Sequence, residues 1–279
     1  MERQLNQEQL RQFEAYLFSE ERSGATMEKY LHDLRVFYAF MGGKKLDKTA
    51  ILEYKSNLLN KYAVTSANSM LAALNAFFRY LGWYDLCVKQ YKIQKTAFCS
   101  EEKELTKAEY IRLIEVAKRK GNERLNLIIQ TICGSGIRVS ELQYITVEAV
   151  KRGEAFVNCK GKNRRIFIVA ELRKKLLSYI KTQHIKSGTV FVTKNGKPVS
   201  RHNIWRDMKA LCKDAGVLPS KVFPHNLRHL FARTFYSLEK DIAKLADILG
   251  HTSINTTRIY IVTTAVEHKR KMENMRLII

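Results

Sequence analysis

Several features that are common in enzymes are missing from this chain of 279 residues. No Gly-rich loop ends in Lys-Ser or Lys-Thr, and no dense acidic cluster suits magnesium, so we expect neither a nucleotide nor a metal ion. The cysteines number five, without paired spacing, which argues against disulfides and structural zinc. We therefore expect reduced thiols and a chemistry that needs no cofactor.

Long apolar runs and acidic residues are also scarce. No stretch suits a membrane span, and the opening MERQLNQEQL lacks the apolar run of a signal peptide. The 27 Asp+Glu stand against 49 Lys+Arg, giving a formal net charge of +22, most of it after residue 98. Such an excess implies an extended polyanionic partner, with nucleic acid ahead of a membrane surface. We expect a cytoplasmic, nucleoid-associated protein.

Amphipathic helical stripes fill the first ninety-odd residues. Asn6 and Gln9 have the spacing of a capping box ahead of the first stripe, and Gly42 and Gly82 are placed to end two others. The four stripes run over Leu10 to Leu17, Tyr30 to Tyr38, Ile51 to Leu59 and Leu71 to Leu81. Four helices with short connections predict a small bundle.

The periodicity lapses from Thr96 to Lys103, and a fresh helix is expected behind the capping-box pair Thr106 and Glu109. We predict a helical domain over residues 1–97, a linker over 98–103 and a mixed α/β domain over 104–279. The fold class is then mainly α with a small β component.

The β component is expected in two places. Ala155 to Cys159 and Arg165 to Val169 are β-rich runs around the polar segment Lys160 to Arg164, which predicts a hairpin. Thr189 to Val192 before Asn195-Gly196 is a second strand-and-turn signal. Everything from Ser200 onward is expected to be helical.

Five residues in short motifs suggest phosphoryl-transfer chemistry. Arg138 lies in the segment GSGIRVSEL, His225 and Arg228 lie in HNLRH, His251 follows Gly250, and Tyr260 comes nine residues later. Two arginine forks can hold the nonbridging oxygens of a phosphodiester, and a phenol can attack its phosphorus. Each residue alone has an ordinary structural explanation, so the hypothesis depends on their combination.

Within HNLRH, two residues are expected to bind phosphate and a third is expected to have another role. His225 and Arg228 share one helix face and can meet the same phosphate. His229 lies on a different side of that turn, so we interpret it as a packing or hydrogen-bonding residue.

With these motifs the chain resembles the tyrosine recombinase (phage integrase) family, most closely its Xer-type and small mobile-element members. The N-terminal segment T-x-x-x-Y-x-x-D-L-x-x-F, from Thr26 to Phe37, is similar to the family's core-binding domain. GSGIRVSEL, HNLRH and LGHTSINTTRIY match the family's catalytic motifs in order. The resemblance implies a SAM-like helical core-binding domain and a catalytic domain of the DNA breaking-rejoining type.

The resemblance also implies roles for the matching positions. Tyr260 is similar to the nucleophile, which leaves a 3′-phosphotyrosine and a free 5′-hydroxyl. Arg138 and Arg228 are similar to the transition-state clamp. Glu141 resembles the acidic residue that supports the arginine site.

The remaining roles concern proton transfer. His225 and His251 resemble the pair that hydrogen-bonds the phosphate and assists proton transfer. Lys160 resembles the mobile lysine that protonates the departing 5′-oxygen. Cys159 stands where the family often has glycine, so Lys162 stays open as an alternative to Lys160.

In the family, four protomers on two duplexes exchange strands through a Holliday junction. The resemblance therefore implies a site-specific recombinase that acts as a tetramer on double-stranded DNA with a short inverted-repeat core site. A tail from Val266 to Met275 would dock on a neighbouring protomer, and a directionality factor is possible. The cell process, dimer resolution or integration and excision of a mobile element, stays open.

Two other functions remain. A type IB topoisomerase uses similar chemistry to relax DNA as a monomer without site preference. A regulator that has lost catalysis would bind DNA and leave it uncut.

Overall fold

The computed structural model describes residues 3, 5–93, 104–159, 162–193, 195–251, 253–260 and 273–275, with only the backbone at 158, 159, 162 and 163. The chain divides into two compact units, Met1–Lys95 and Thr96–Ile279. Within the described ranges, no helix is long and apolar enough to cross a bilayer. The predicted fold class, mainly α with a small β component, is confirmed. The predicted domains 1–97 and 104–279 stay predictions, and the linker 98–103 lies outside the described residues.

The first unit is built from four helices whose limits follow local signals. The Asn6 side chain accepts from the Gln9 backbone N–H and the Gln9 side chain reciprocates, which confirms the predicted capping box. Gly42 ends the second helix in the left-handed conformation. The helices are α1 (Gln7–Ser19), α2 (Gly24–Met41), α3 (Lys48–Lys61) and α4 (Val64–Tyr80). Aromatic rings meet edge to face in the core, as between Phe13 and Phe77.

The second unit is assembled around one buried helix. Its elements are α5 (Lys107–Arg119), α6 (Glu123–Ser135), a 3₁₀ segment (Val139–Tyr144), α7 (Val147–Arg152), β1 (Glu154–Cys159), β2 (Lys162–Phe167), α8 (Ala170–Thr182), α9 (Arg201–Lys209), α10 (Cys212–Ala215), a 3₁₀ turn (Pro219–Lys221), α11 (Pro224–Glu239), α12 (Ile242–Leu249) and α13 (Ile254–Arg258). The predicted capping box of Thr106 and Glu109 begins α5. Helix α6 packs against α5, α8 and α11, so it is the element around which these helices are arranged.

The hairpin is present, but its predicted turn was wrong. Strands β1 and β2 pair antiparallel with Cys159 opposite Lys162, which leaves two residues between them instead of five. Arg164 therefore belongs to β2, and Val169 is the N-cap of α8. The polarity of Arg164 was misleading because its charge faces a buried carboxylate, which lets a polar residue occupy an inward strand position.

The second predicted strand was also wrong. Thr189 and Val192 form only isolated bridges, to Thr146 and Pro198. Among the described residues no neighbouring strand continues the ladder, so the apolar run is buried as core instead. The expected turn is present, with the Gly196 amide donating to the Thr193 carbonyl oxygen.

Candidate active site

Arg138 is held where helix α6 gives way to the 3₁₀ segment. Gly136 ends α6 with φ of 64°, and a Cβ at this position would meet the ring of Phe231. The backbone N–H of Arg138 donates to Glu141 Oε2 over 2.8 Å, and its Nη1 donates to Oε1 over 2.9 Å. The Arg138 side chain is 43% exposed, whereas Glu141 is buried. Glu141 therefore holds Arg138 in place while part of the guanidinium stays open to solvent.

Arg228 lies one turn into α11 and is almost completely buried, with 1% exposure. Its Nη1 donates to the Gly136 carbonyl oxygen over 2.5 Å and its Nη2 to that of Leu249 over 2.7 Å. These carbonyls lie at the ends of α6 and α12, where helical hydrogen bonding runs out. Burial, followed by the charge of Arg138, lowers the Arg228 pKa to about 10, so the side chain stays cationic at neutral pH.

His225 stands at the exposed start of α11, directly after Pro224. Protein atoms around part of the ring, and then the charges of Arg228 and Arg138, lower its pKa. At neutral pH the imidazole is therefore mostly uncharged and able to accept a proton.

His251 follows Gly250, the left-handed cap of α12, and has its tautomer set by its neighbours. Its Nε2 lies 3.0 Å from Arg228 Nη2, and its Nδ1 lies 2.9 Å from Thr257 Oγ1. Because a guanidinium only donates, Nε2 accepts and the proton is on Nδ1, which donates to the threonine. Burial, then the charges of Arg228 and other arginines, lowers the His251 pKa to about 4.

Tyr260 follows α13 and is buried, with 2% exposure, beside Ala232, Leu245 and Leu249. Its ring stacks on His251 with centroids 5.5 Å apart and meets His229 edge-on at 4.4 Å. The His225 ring is 6.1 Å away. The neighbouring Tyr260 side chain opposes the lowering of the Arg228 pKa. The structure thus brings the predicted phenol against the predicted guanidinium and both predicted histidines.

His229 was expected to pack, and it does so against Tyr260. Burial, followed by electrostatic interaction with His225 and Arg228, lowers its pKa to about 4. Its expected place on a different side of the turn from His225 was wrong, because residues four apart lie on one side of a helix and the two ring centroids are 4.7 Å apart.

A cleft of about 600 Å³ opens in front of Arg138, His225 and Arg228. Helix α9 adds Arg201, His202 and Trp205 to its walls, while Tyr260 is not among the described residues that line it. An anion held in the cleft by Arg228 would therefore lie on the guanidinium that also bonds His251, the ring that stacks on Tyr260. Both predicted arginines and His225 line the cleft, and His251 is joined to it through Arg228.

Arg164 is a further charged residue of the site, which no motif had indicated. It lies on β2, is 9% exposed, forms an ion pair with Glu141 and donates through Nη1 to the Ile248 carbonyl oxygen over 2.9 Å. Strand alternation offered a signal, because Arg164 shares a face with buried Ile166.

Two predicted features cannot be placed. Lys160 lies outside the described residues, as does the side chain of its alternative, Lys162. Of the predicted tail from Val266 to Met275, only residues 273–275 are described. Their roles stay predictions.

Comparison with known proteins agrees with this geometry. Residues 103–266 match the phage integrase family, and residues 10–84 match the phage integrase N-terminal SAM-like domain. Tyrosine recombinase XerA of Pyrococcus furiosus is 32% identical, with 99% of this chain and 97% of the relative covered.

Two solved structures share the fold at lower identity. XerH site-specific recombinase bound to difH substrate has a TM-score of 0.71 at 19% identity, covering 96% of this chain and 84% of that one. A lambda integrase tetramer bound to a Holliday junction has a TM-score of 0.73 at 17% identity, covering 91% and 76%. As its motifs predicted, the chain belongs to the phage integrase family of tyrosine recombinases.

Proposed function

We propose that this chain cuts and rejoins double-stranded DNA at a specific site, with Tyr260 as the nucleophile. The observation that carries the proposal is the stacking of the Tyr260 ring on His251, whose Nε2 is bonded to Arg228, a buried guanidinium that also lines the cleft. A phosphodiester bound there meets the attacking phenol and a fixed positive charge together.

Binding of the scissile phosphate is the first step. Arg138 approaches from the solvent side and Arg228 from the buried side, so the two forks can take different nonbridging oxygens. Glu141 is buried and accepts hydrogen bonds from Arg138, so its role is to hold that arginine. Glu141 does not react.

Attack then forms a bond between the Tyr260 oxygen and phosphorus, and the bond from phosphorus to the 5′-oxygen breaks. Uncharged His225 accepts the phenolic proton, while Lys160 donates a proton to the departing 5′-oxygen. His251, whose Nε2 is occupied by Arg228, positions the guanidinium and can turn a nitrogen to the phosphate once DNA binds. The product is a 3′-phosphotyrosine with a free 5′-hydroxyl.

Rejoining reverses the attack. The phosphotyrosine keeps the free energy of the broken diester, so the 5′-hydroxyl of another strand can displace Tyr260 without ATP. We propose that four copies on two duplexes exchange strands in this way through a Holliday junction, at a short inverted-repeat site in nucleoid DNA of the cytoplasm. A tail contact between protomers and a directionality factor belong to the same proposal.

Sequencing of DNA covalently attached to the chain tests this function. The wild-type protein is recovered from its host under denaturing conditions, with Tyr260→Phe as the control, because phenylalanine keeps the packing and removes the nucleophile. Adducts at a short inverted repeat are expected in the wild type alone. Scattered adducts would instead indicate a relaxing topoisomerase, and none above the control would indicate a DNA-binding regulator.

A further inference from the structure

Arg164 and Arg165 are consecutive in β2 but have opposite surroundings. Arg165 points outward, with its side chain 56% exposed, an ion pair with Glu154 and its guanidinium over the Phe156 ring. Arg164 points inward and is 9% exposed. Strand alternation explains this difference, and it makes Arg165 a matched control for Arg164.

One end of the Arg164 contact is the carboxylate of Glu141. Oε2 of Glu141 receives Arg164 Nη2 together with the backbone N–H of Arg138, while Oε1 receives Arg138 Nη1. The carboxylate is buried, so its orientation depends on these donors. By holding Oε2 in place, Arg164 sets the position of Oε1, the oxygen that accepts from the Arg138 guanidinium.

The other end of the contact is the last turn of α12. Arg164 Nη1 donates to the Ile248 carbonyl oxygen, and Arg228 takes the next carbonyl, that of Leu249. Both groups lie at a helix C-terminus, which favours positive charge. Gly250 packs directly on the Arg164 stem, because a Cβ there would stand 2.5 Å from Arg164 Cδ. His251 follows at once, so the position of its ring depends on this contact.

We propose that Arg164 is a positioning residue that ties Arg138 and His251 to strand β2. The inference rests on the proposed function for its catalytic consequence. From β2, Arg164 reaches two segments that are distant in sequence, the Arg138 loop and the end of α12. Loss of the Arg164 contacts would therefore displace both the arginine clamp and the histidine.

Two variants separate this role from folding. Arg164→Lys keeps the charge but cannot bond Glu141 and Ile248 with one planar fork, and Arg164→Gln removes the charge. Arg165→Gln is the control, since it loses only surface contacts. Thermal unfolding and binding to the duplex recovered by adduct sequencing establish that each variant is folded.

The first readout is the rate of covalent adduct formation on that duplex in a single turnover. We expect Arg164→Gln to lose about 100-fold and Arg164→Lys somewhat less, with DNA affinity unchanged, as for a small misplacement of catalytic groups. The double variant Glu141→Gln/Arg164→Gln should lose less rate than the product of the two single-variant fold-losses. Both substitutions act on one carboxylate, so their effects overlap. Arg165→Gln should retain the wild-type rate.

The second readout needs no DNA. Nitrogen-15 chemical shifts of His251 report which ring nitrogen carries the proton, and we expect Nδ1 in the wild type and in Arg165→Gln. Arg164→Gln should give a mixture of tautomers. Wild-type rate and wild-type shifts in both Arg164 variants would overturn the inference. A wild-type chain that forms no adduct would instead overturn the proposed function, and the shifts would still test Arg164.

Discussion

At the scale of single residues, Arg228 and Arg138 share a proposed function but differ in burial. Arg228 satisfies the carbonyl groups of Gly136 and Leu249 from a position with 1% exposure, whereas Arg138 is 43% exposed and bonds to one carboxylate. Loss of the fork should therefore have the same catalytic effect at both positions and different effects on stability.

Changing each arginine to lysine tests this distinction. We expect both variants to lose about 100-fold or more in cleavage, because lysine lacks the bidentate fork. Arg228→Lys should also lower the free energy of unfolding by about 2 kcal/mol, because a buried carbonyl is left without its donor. Urea denaturation and adduct-formation rates measure the two quantities. Equal losses of DNA affinity and cleavage would mean that both arginines only bind the DNA phosphate backbone.

The buried imidazoles predict how stability depends on pH. The pKa values of His229 and His251 are lowered from 6.5 to about 4, mainly by burial. Between these values the unfolded chain binds protons that the folded chain rejects, so the free energy of unfolding should decrease as the pH falls from about 6.5 towards 4. Above this window the contribution is fully present.

Urea denaturation at pH 7 and pH 5 measures this dependence. His229→Gln should reduce the difference between the two pH values, whereas His184→Asn, at an exposed position, should leave it unchanged. Equal pH dependence in wild type and His229→Gln would contradict the account.

At the scale of elements, glycine caps determine where the catalytic side chains emerge. Gly136 has φ of 64° and lies against the Phe231 ring, and its carbonyl oxygen accepts from Arg228. Gly121 has a similar φ of 67° but no neighbouring atom within 4 Å of an added Cβ. Comparing Gly121 with Gly136 therefore distinguishes the effect of backbone strain on stability from that of close packing.

Alanine at each glycine gives the comparison. Gly121→Ala should cost about 1–2 kcal/mol from left-handed strain alone. Gly136→Ala should cost more and should also slow cleavage, because displacement of the cap moves Arg138 and the carbonyl that holds Arg228. Thermal unfolding and adduct formation provide the readouts, and equal stability losses with normal cleavage would be the contrary result.

Local signals were sufficient for most elements and insufficient for the tertiary contacts. The capping pairs at Asn6 and Thr106 predicted two helix starts, and Gly42 predicted a helix end, since each acts within one turn. The hairpin turn was misjudged because Arg164 depends on Glu141, a partner 23 residues away. Residue types and the order of the motifs indicated the arginines, histidines and tyrosine as candidate site residues. The place of His229 beside Tyr260 depends on how α11 and α13 meet, which no local pattern contains.

At the scale of the whole molecule, the net charge of +22 should govern DNA affinity. Neutralised phosphates release counterions, so affinity should fall by about 10³-fold or more between about 50 and 200 mM salt. Filter binding with Tyr260→Phe measures this without covalent trapping, on the recovered site and on an unrelated duplex. Similar slopes on both duplexes with a higher affinity for the site are expected. A flat salt dependence would contradict a mainly electrostatic contact.

Mass spectrometry of the covalent adduct after nuclease digestion identifies the nucleophile. Trypsin should release the segment from Ile259 to Lys269, in which Tyr260 is the single tyrosine. We expect a nucleotide linked through its 3′-phosphate to Tyr260, and no such peptide from Tyr260→Phe. A nucleotide on another residue, or one linked through its 5′-phosphate, would contradict this expectation.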